Sequence, residues 1–294
     1  MNRIGIDLGG TKIEGVVLDA SGKELFRSRI ATERNKGYEH ILERIHSLYG
    51  ILKEKIGGES HTLGIGTPGA VSYKTGFLKN SNTVCLSGRL SVADLEKTLG
   101  KKLAIENDAN CFALAETMAG AGKGKKLVFG VIMGTGCGGG IVHEGKVIRG
   151  LQSIAGEWGH MSVDPNGPKC YCGQRGCVET LISGTGVETR YKVKYGRVKA
   201  LKEIVEDYRK KDPDAVSVMR DFFRNFGRSL ANLVNVLDPD MIVLGGGVSN
   251  IPEIYEEGIA QVQHYVFSDS LETPIVRHAL GDSAGVIGAA LIGI

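Results

Sequence analysis

Three cysteines, Cys170, Cys172 and Cys177, lie within eight residues, and His160 precedes them in the stretch GEWGHMSVDPNGPKCYCGQRGC. Sulfur this concentrated has three chemical uses: a disulfide knot, a thiol redox pair or a metal site. The H-x9-C-x-C-x4-C spacing offers four soft or borderline ligands, and Gly173 and Gly176 let the loop reverse around an ion. Such a set suits tetrahedral Zn²⁺. A C-x-C pair lacks the C-x-x-C spacing of thioredoxin-type redox motifs. Four protein ligands leave no coordination position open, so the expected role of zinc is structural. It would tie GEWGH to CVET and bring Glu157 and Glu179 towards one place. The remaining thiols, Cys85, Cys111 and Cys137, are read as packing residues.

Glycine-rich turns supply a second kind of chemistry. DLGGTK runs from Asp7 through Gly9, Gly10 and Thr11 to Lys12. Its glycines let backbone N–H groups approach anionic oxygens, and Asp7 stands where a carboxylate could hold Mg²⁺ directly or through water. Alone, the stretch is equally a glycine-rich hairpin. A second copy, GTGCGGG, begins with Gly134, Thr135 and Gly136, and two such hairpins across a cleft can clamp one polyphosphate. A third buried strand ends in LGGGVSN, where Gly245, Gly246 and Gly247 would admit the adenosine part of a nucleotide. In IENDAN, Asn107 and Asp108 fall where a strand gives way to a helix. A carboxylate there can take a proton from an attacking hydroxyl, while Asn and Asp are also favoured helix N-caps.

Two literal motif matches fail on context. GTGCGG fits the dinucleotide fingerprint G-x-G-x-x-G, but that fingerprint needs a helix after the glycines, and here a strand-like segment follows. GDSAG fits the nucleophile elbow, yet only VIGAALIGI follows it, without the acid and histidine that the chain order requires. It reads as a glycine turn opening the last helix.

The elements that must position these residues alternate between strand and helix patterns, which argues for an α/β architecture. Strand-like RIGIDLG and IEGVVLDA frame the first turn, a helical pattern covers 37–56, and further helices are expected over 201–208 and 215–237. LVFGVIMGTGCGGGIVHEGKVI repeats the opening pattern, so two related lobes are expected. The first spans residues 1–118, completed by a C-terminal helix over 283–294, and the second spans 119–282 with the metal loop. The 294 residues suffice for this, and 42% hydrophobic with 23% charged residues is ordinary for an enzyme in water. The 43 glycines are in excess, as phosphate-binding turns require. A net charge of +3 with scattered basic residues does not imply nucleic acid as a partner. The apolar C-terminal run of twelve residues is too short to span a bilayer, and no leader pattern opens the chain; no membrane partner and a cytoplasmic location are expected.

Taken in order, GIDLGGTK, ENDAN, GTGCGGG, GEWGH, CYCGQRGCVET and NVLDPDMIVLGGGVS cover essentially the whole chain. The sequence resembles the ROK family of repressors, open reading frames and kinases, and within it bacterial fructokinases. The resemblance implies the two-lobed sugar kinase, heat-shock protein and actin fold. It implies an ATP-dependent hexokinase that passes the γ-phosphoryl group of ATP to a hexose hydroxyl, O6 by expectation, with Mg²⁺ as helper. Fructose is the expected sugar; glucose, mannose and N-acetylated hexosamines are the alternatives, because MSVDPNGPK is shorter than the matching loop of fructokinases. By the same resemblance Asp108 is the general base, and Asn107, Asp108, Glu157, His160, Glu179, Gly69 and Asn82 face the sugar. His160 would serve zinc through one ring nitrogen and a sugar hydroxyl through the other. A sugar-sensing repressor of the family would need an additional DNA-binding region before the first strand, which already begins by Arg3. An actin-like polymer protein would leave the sugar and metal residues without purpose. Family members commonly dimerise, which leaves a homodimer open.

Overall fold

The computed structural model describes residues 1–81 and 83–294. The chain forms two units. One comprises Met1–Ala119, Gly145–Ala155 and Leu280–Ile294; the other comprises Gly120–Glu144 and Gly156–Ala279. Sequence patterning assigns 145–155 to the second lobe, whereas the structure places it in the first. There Arg149 pairs with Glu106, and Lys79 Nζ donates to the Gln152 carbonyl at 2.7 Å. Such contacts join residues more than forty positions apart, so no local pattern announces them.

In the first unit, β1 (Asn2–Leu8), β2 (Lys12–Leu18) and β3 (Glu24–Ala31) form an antiparallel meander. Strands β4 (His61–Thr67) and β7 (Ala104–Asn107) extend it in parallel, giving the order β3-β2-β1-β4-β7. Between β4 and β7 lie the small hairpin β5 (Ala70–Val71) and β6 (Leu78–Lys79) and the helix α2 (Val92–Leu99). Ser91 caps α2 by accepting from Asp94 N, and Gly100 ends it in the left-handed region.

Helix α1 (Tyr38–Lys55) has no side-chain cap. It is held instead by Tyr38, Ile41, Leu42, Ile45, Leu48, Tyr49 and Leu52, which recur at helical spacing and are all buried. Burial contributes ~1.5–3 kcal/mol per large apolar side chain, against ~1 kcal/mol for a cap, so packing decides this helix.

The last helix, α9 (Ala284–Ile292), is small-residue and apolar, and it lies against bare backbone. Gly5 and Gly64 are paired across β1 and β4. A Cβ at Gly5 would stand 2.4 Å from Ala290 N, and one at Gly64 would stand 2.0 Å from the Ala289 carbonyl. On its other side, Gly288 meets α3 (Asp108–Ala119), where a Cβ would lie 1.8 Å from the Cys111 carbonyl. The buried Glu116 of α3 accepts from Leu280 N at 2.9 Å and pins the chain as it enters α9.

The second unit repeats the plan. Strands β8 (Leu127–Met133) and β9 (Cys137–His143) form a hairpin. Parallel strands β11 (Met241–Gly245) and β12 (Ile275–Arg277) extend it from β8. The short β10 (Lys146–Val147) belongs to the first unit. Helices α4 (Val178–Ile182), α5 (Gly184–Tyr195), α6 (Leu201–Arg209), α7 (Pro213–Leu237) and α8 (Glu257–Tyr265) complete this unit. Phe129, Tyr191, Phe222 and Phe226 centre its core. Helix α7 starts with Asp212 accepting from Ala215 N and Pro213 in its first turn, the position where a missing N–H costs nothing. Among the described residues no helix is long and apolar enough to cross a membrane.

Two glycines separate close packing from backbone entropy. Gly288→Ala should lower the melting temperature by the equivalent of ~1–3 kcal/mol or more, because neither helix can yield without losing its seat. Gly50→Ala, in the interior of α1 with open space around it, should raise stability by ~0.5–1 kcal/mol. Equal melting temperatures for the two variants would refute the contact at Gly288.

Candidate active site

The first hairpin turn is closed by Gly9 N donating to the Lys12 carbonyl at 3.0 Å. Thr32 braces it twice, its hydroxyl donating to the Gly9 carbonyl at 2.7 Å and its N–H to the Thr11 carbonyl at 3.0 Å. Gly10 and Thr11 form its tip, and Lys12 Nζ lies 3.7 Å from the Glu14 carboxylate. Asp7 ends the inward run of β1 with Gly66 beside it in β4 and Gly285 of α9 above it. Cβ atoms at those two positions would stand 3.3 and 3.2 Å from its carboxylate oxygens, so paired glycines make its slot. Burial, with the nearby charges of Asp108 and Glu14, pushes the Asp7 pKa up to about 7.

Glu14 lies directly opposite Asp7 across the hairpin. Burial disfavours its charge, but Arg27 and Arg29, each at 2.7 Å, outweigh that and hold its pKa below the ordinary value. The sequence reading passed over this trio. Its signal was the alternation of acid and base along β2 and β3, which reads equally as a solvated face.

At the end of β7, Asn107 rather than Asp108 caps α3, its side-chain oxygen accepting from Asn110 N at 2.9 Å. Asp108 occupies the first helical position, with Oδ1 accepting from Ala109 N at 2.8 Å. Glu106 binds the same corner together. One of its oxygens accepts from Asn107 N and Asn110 Nδ2, each at 3.0 Å, and the other takes Arg149 Nε. Glu106 sits inside ENDAN, yet only the tertiary placement of Arg149 gives it a role. Gly69 is accounted for by packing, since a Cβ there would lie 2.5 Å from the Lys79 carbonyl. Asn82 lies outside the described residues.

In the second unit Gly134 N donates to the Gly136 carbonyl at 2.9 Å, turning β8 into β9. No helix follows these glycines, so the dinucleotide fingerprint is excluded here. Glu179 at the start of α4 accepts from Cys137 N at 2.9 Å and lies close against Gly136. GEWGH is fixed to the same hairpin by Trp158, whose Nε1 donates to the Gly138 carbonyl at 2.8 Å and whose ring meets Phe129 edge-on. The Glu157 carboxylate has no hydrogen-bond partner among the described residues.

The ligand atoms of His160, Cys170, Cys172 and Cys177 all lie within 4.8 Å of one another. All six cysteines are free thiols. Gly173 and Gly176 both take positive φ, as reversal of the loop requires. Hydrogen bonding from Gln174 N lowers the Cys172 pKa to about 7, towards the thiolate that a metal needs. His160 Nδ1 faces Cys170 Sγ at 3.6 Å, while its Nε2 meets the Tyr171 hydroxyl at 3.0 Å. Tyr171 was not foreseen, and it stands on the nitrogen that the sequence reading reserved for a sugar. Of the other thiols, Cys111 and Cys137 are buried and Cys85 is half-buried.

A cavity of about 410 Å³ opens in this unit, lined by Gly134, Thr135, Gly184, Thr185, Glu188, Leu201, Gly247 and Val248. It joins the second and third glycine segments of the sequence reading, although Gly136, Gly245 and Gly246 do not line it. Gly245 ends β11, and Gly246 turns at φ 79° against the Met133 carbonyl.

The ROK family profile matches residues 3–293. The chain belongs to the ROK family. It is 37% identical over 300 residues to an N-acetyl-D-glucosamine kinase of Vibrio cholerae, covering 99% of both chains. Among solved structures it is similar to a ROK hexokinase from Thermus thermophilus, with a TM-score of 0.90, 34% identity and coverage of 100% and 98%. A ROK glucokinase from Streptomyces griseus, solved with glucose and AMPPNP, matches with a TM-score of 0.81, 30% identity and coverage of 100% and 99%. The architecture is therefore the family's actin-like fold. The expected fructokinase likeness is not shown by these relatives.

The raised Asp7 pKa has a measurable sign. A carboxyl whose folded pKa lies above its unfolded value loses stability as pH rises from about 4 to about 7, and the full penalty, up to ~4 kcal/mol, stands above that. In EDTA, Asp7→Asn should therefore melt higher than wild type at pH 8, with the gap closing towards pH 4.5. A constant gap across that range would show that Asp7 does not titrate abnormally.

Proposed function

We propose that this protein is an ATP-dependent sugar kinase that phosphorylates an N-acetylhexosamine, N-acetyl-D-glucosamine first, on its O6 hydroxyl. The observation that carries the reading is identity of 35–37% over whole chains with N-acetyl-D-glucosamine kinases of Histophilus somni and Vibrio cholerae. The residues present fit that chemistry. Asn107 supplies the helix cap, and the Asp108 carboxylate, which takes Ala109 N on its Oδ1, can accept the proton of the attacking hydroxyl. In the second unit Glu157 and Glu179 offer acceptors that a polyhydroxyl substrate needs, and His160 would join them through Nε2 by displacing the Tyr171 hydroxyl. In the first unit Asn107 offers its amide nitrogen, its oxygen being the α3 cap. The backbone N–H groups of the turns at Gly9–Thr11 and Gly134–Gly136 suit phosphate oxygens.

Asp7, a hard oxygen donor in a slot of glycines without a cationic hydrogen-bond partner among the described residues, suits Mg²⁺, which would neutralise the phosphate charge during transfer. His160, Cys170, Cys172 and Cys177 suit Zn²⁺, whose four protein ligands would confine it to a structural part. Exclusion of water at the site would limit wasteful hydrolysis of ATP.

ADP release should be fastest with N-acetyl-D-glucosamine in a panel that includes N-acetylmannosamine, glucose, mannose and fructose; a preference for fructose would overturn the assignment. Asp108→Asn should lower kcat by ~10²–10⁴ with little change in sugar affinity or melting temperature. Near-wild-type kcat in that variant would remove Asp108 from the mechanism. Purified protein should carry about one Zn²⁺ per chain, and Cys172→Ser should lower both metal content and melting temperature. Active enzyme free of zinc by elemental analysis would end the metal assignment.

A further inference from the structure

Glu188 is the charged residue among those lining the cavity of the second unit. It projects from the second turn of α5, whose N-terminus is seated on the glycine hairpin by Gly184 N donating to the Gly134 carbonyl at 2.8 Å. Its carboxylate is held from behind, Oε1 accepting from Leu201 N at 2.8 Å where α6 begins. The other oxygen, Oε2, has no hydrogen-bond partner among the described residues. The rest of the lining is neutral: glycine backbone, two threonines, a leucine and a valine. Cβ atoms at Gly134 and Gly247 would meet nothing within 4 Å, so the space beside them is open.

This lining has two unlike ends. The hairpin end is uncharged, while the Glu188 end presents a fixed negative charge, which repels anionic oxygens. A phosphate chain therefore belongs at the hairpin, and what reaches Glu188 must donate hydrogen bonds. A vicinal diol does so, and hydroxyl-to-carboxylate bonds are among the stronger neutral-to-charged kind.

We infer that Glu188 accepts the ribose diol of the nucleotide and makes the enzyme select a ribonucleoside triphosphate over its deoxy analogues. The inference rests on the proposed ATP-dependent activity and places the adenosine of ATP in this cavity, and the experiment separates the placement from the role of Glu188. Wild-type enzyme should show a KM about 10-fold or more higher for 2′-deoxy-ATP or 3′-deoxy-ATP than for ATP. Glu188→Gln keeps an oxygen for Leu201 N but offers an amide in place of the second acceptor. It should raise the KM for ATP about 10-fold, bring the deoxy-to-ribo ratio close to one, and leave the KM for the sugar unchanged. Gly247→Val, whose side chain would project into the cavity, should raise the KM for ATP whatever Glu188 does. If Gly247→Val leaves that KM unchanged, the nucleotide does not lie in this cavity and both readings fall. If Gly247→Val raises it, but wild type accepts both deoxy analogues as well as ATP or Glu188→Gln keeps the discrimination, the role of Glu188 alone is overturned. Because the wild-type comparison needs no variant, the inference stays testable even if Glu188→Gln folds poorly.

Discussion

The close seating of α9 on bare strand backbone is the constraint on which the first unit depends. At Gly5, Gly64 and Gly288 a single added carbon would collide with main-chain atoms. Dispersion falls steeply with separation, so helix and sheet gain most when nothing holds them apart. That closeness carries Gly285 over Asp7 and leaves the carboxylate a slot bounded by hydrogen rather than by side chains. The C-terminal residues are thus part of the corner around Asp7, although they lie at the far end of the chain from its hairpin glycines.

Charge in that corner is arranged by contrast. Asp7 and Glu14 face one another across the hairpin, yet their pKa values are driven in opposite directions. Glu14 has two guanidinium partners; Asp7 has burial and the charge of Asp108 beside it. A buried carboxylate beside other acids is unfavourable, and the packing of α9 sustains that local instability. Glu106 performs a related service for Asn107 and Asp108. By engaging Arg149 and the first turn of α3 at once, it makes the corner of β7 stiff and leaves Asn107 to cap the helix.

The second unit relies on a different fastening. Trp158 and Glu179 both reach backbone groups of β9, so the segments before and after the cysteine loop attach to the glycine hairpin independently of any ion. The four ligand atoms are gathered on top of that frame. Here a metal would tighten an arrangement that main-chain hydrogen bonds already outline, unlike a small finger that has no core of its own.

Local chemistry made much of this legible from the amino-acid sequence. The apolar period of α1, the two glycine hairpins, the helix opening at Asn107 and the H-x9-C-x-C-x4-C set are all written in residues close to one another along the chain. For these the sequence determined the element and the gathering of the residues, because backbone dihedral limits and ligand reach act over a few positions. The placement of residues 145–155 in the first unit, the Glu106–Arg149 pair, the Tyr171 hydroxyl on His160 and the Glu188 cavity were decided only by tertiary structure. Whether Asn107 or Asp108 caps α3 was decided there too, since both are good caps by type. Each of these depends on which long side chain meets which backbone atom after folding. That outcome is set by packing between elements distant in sequence, where no periodicity or spacing rule reaches.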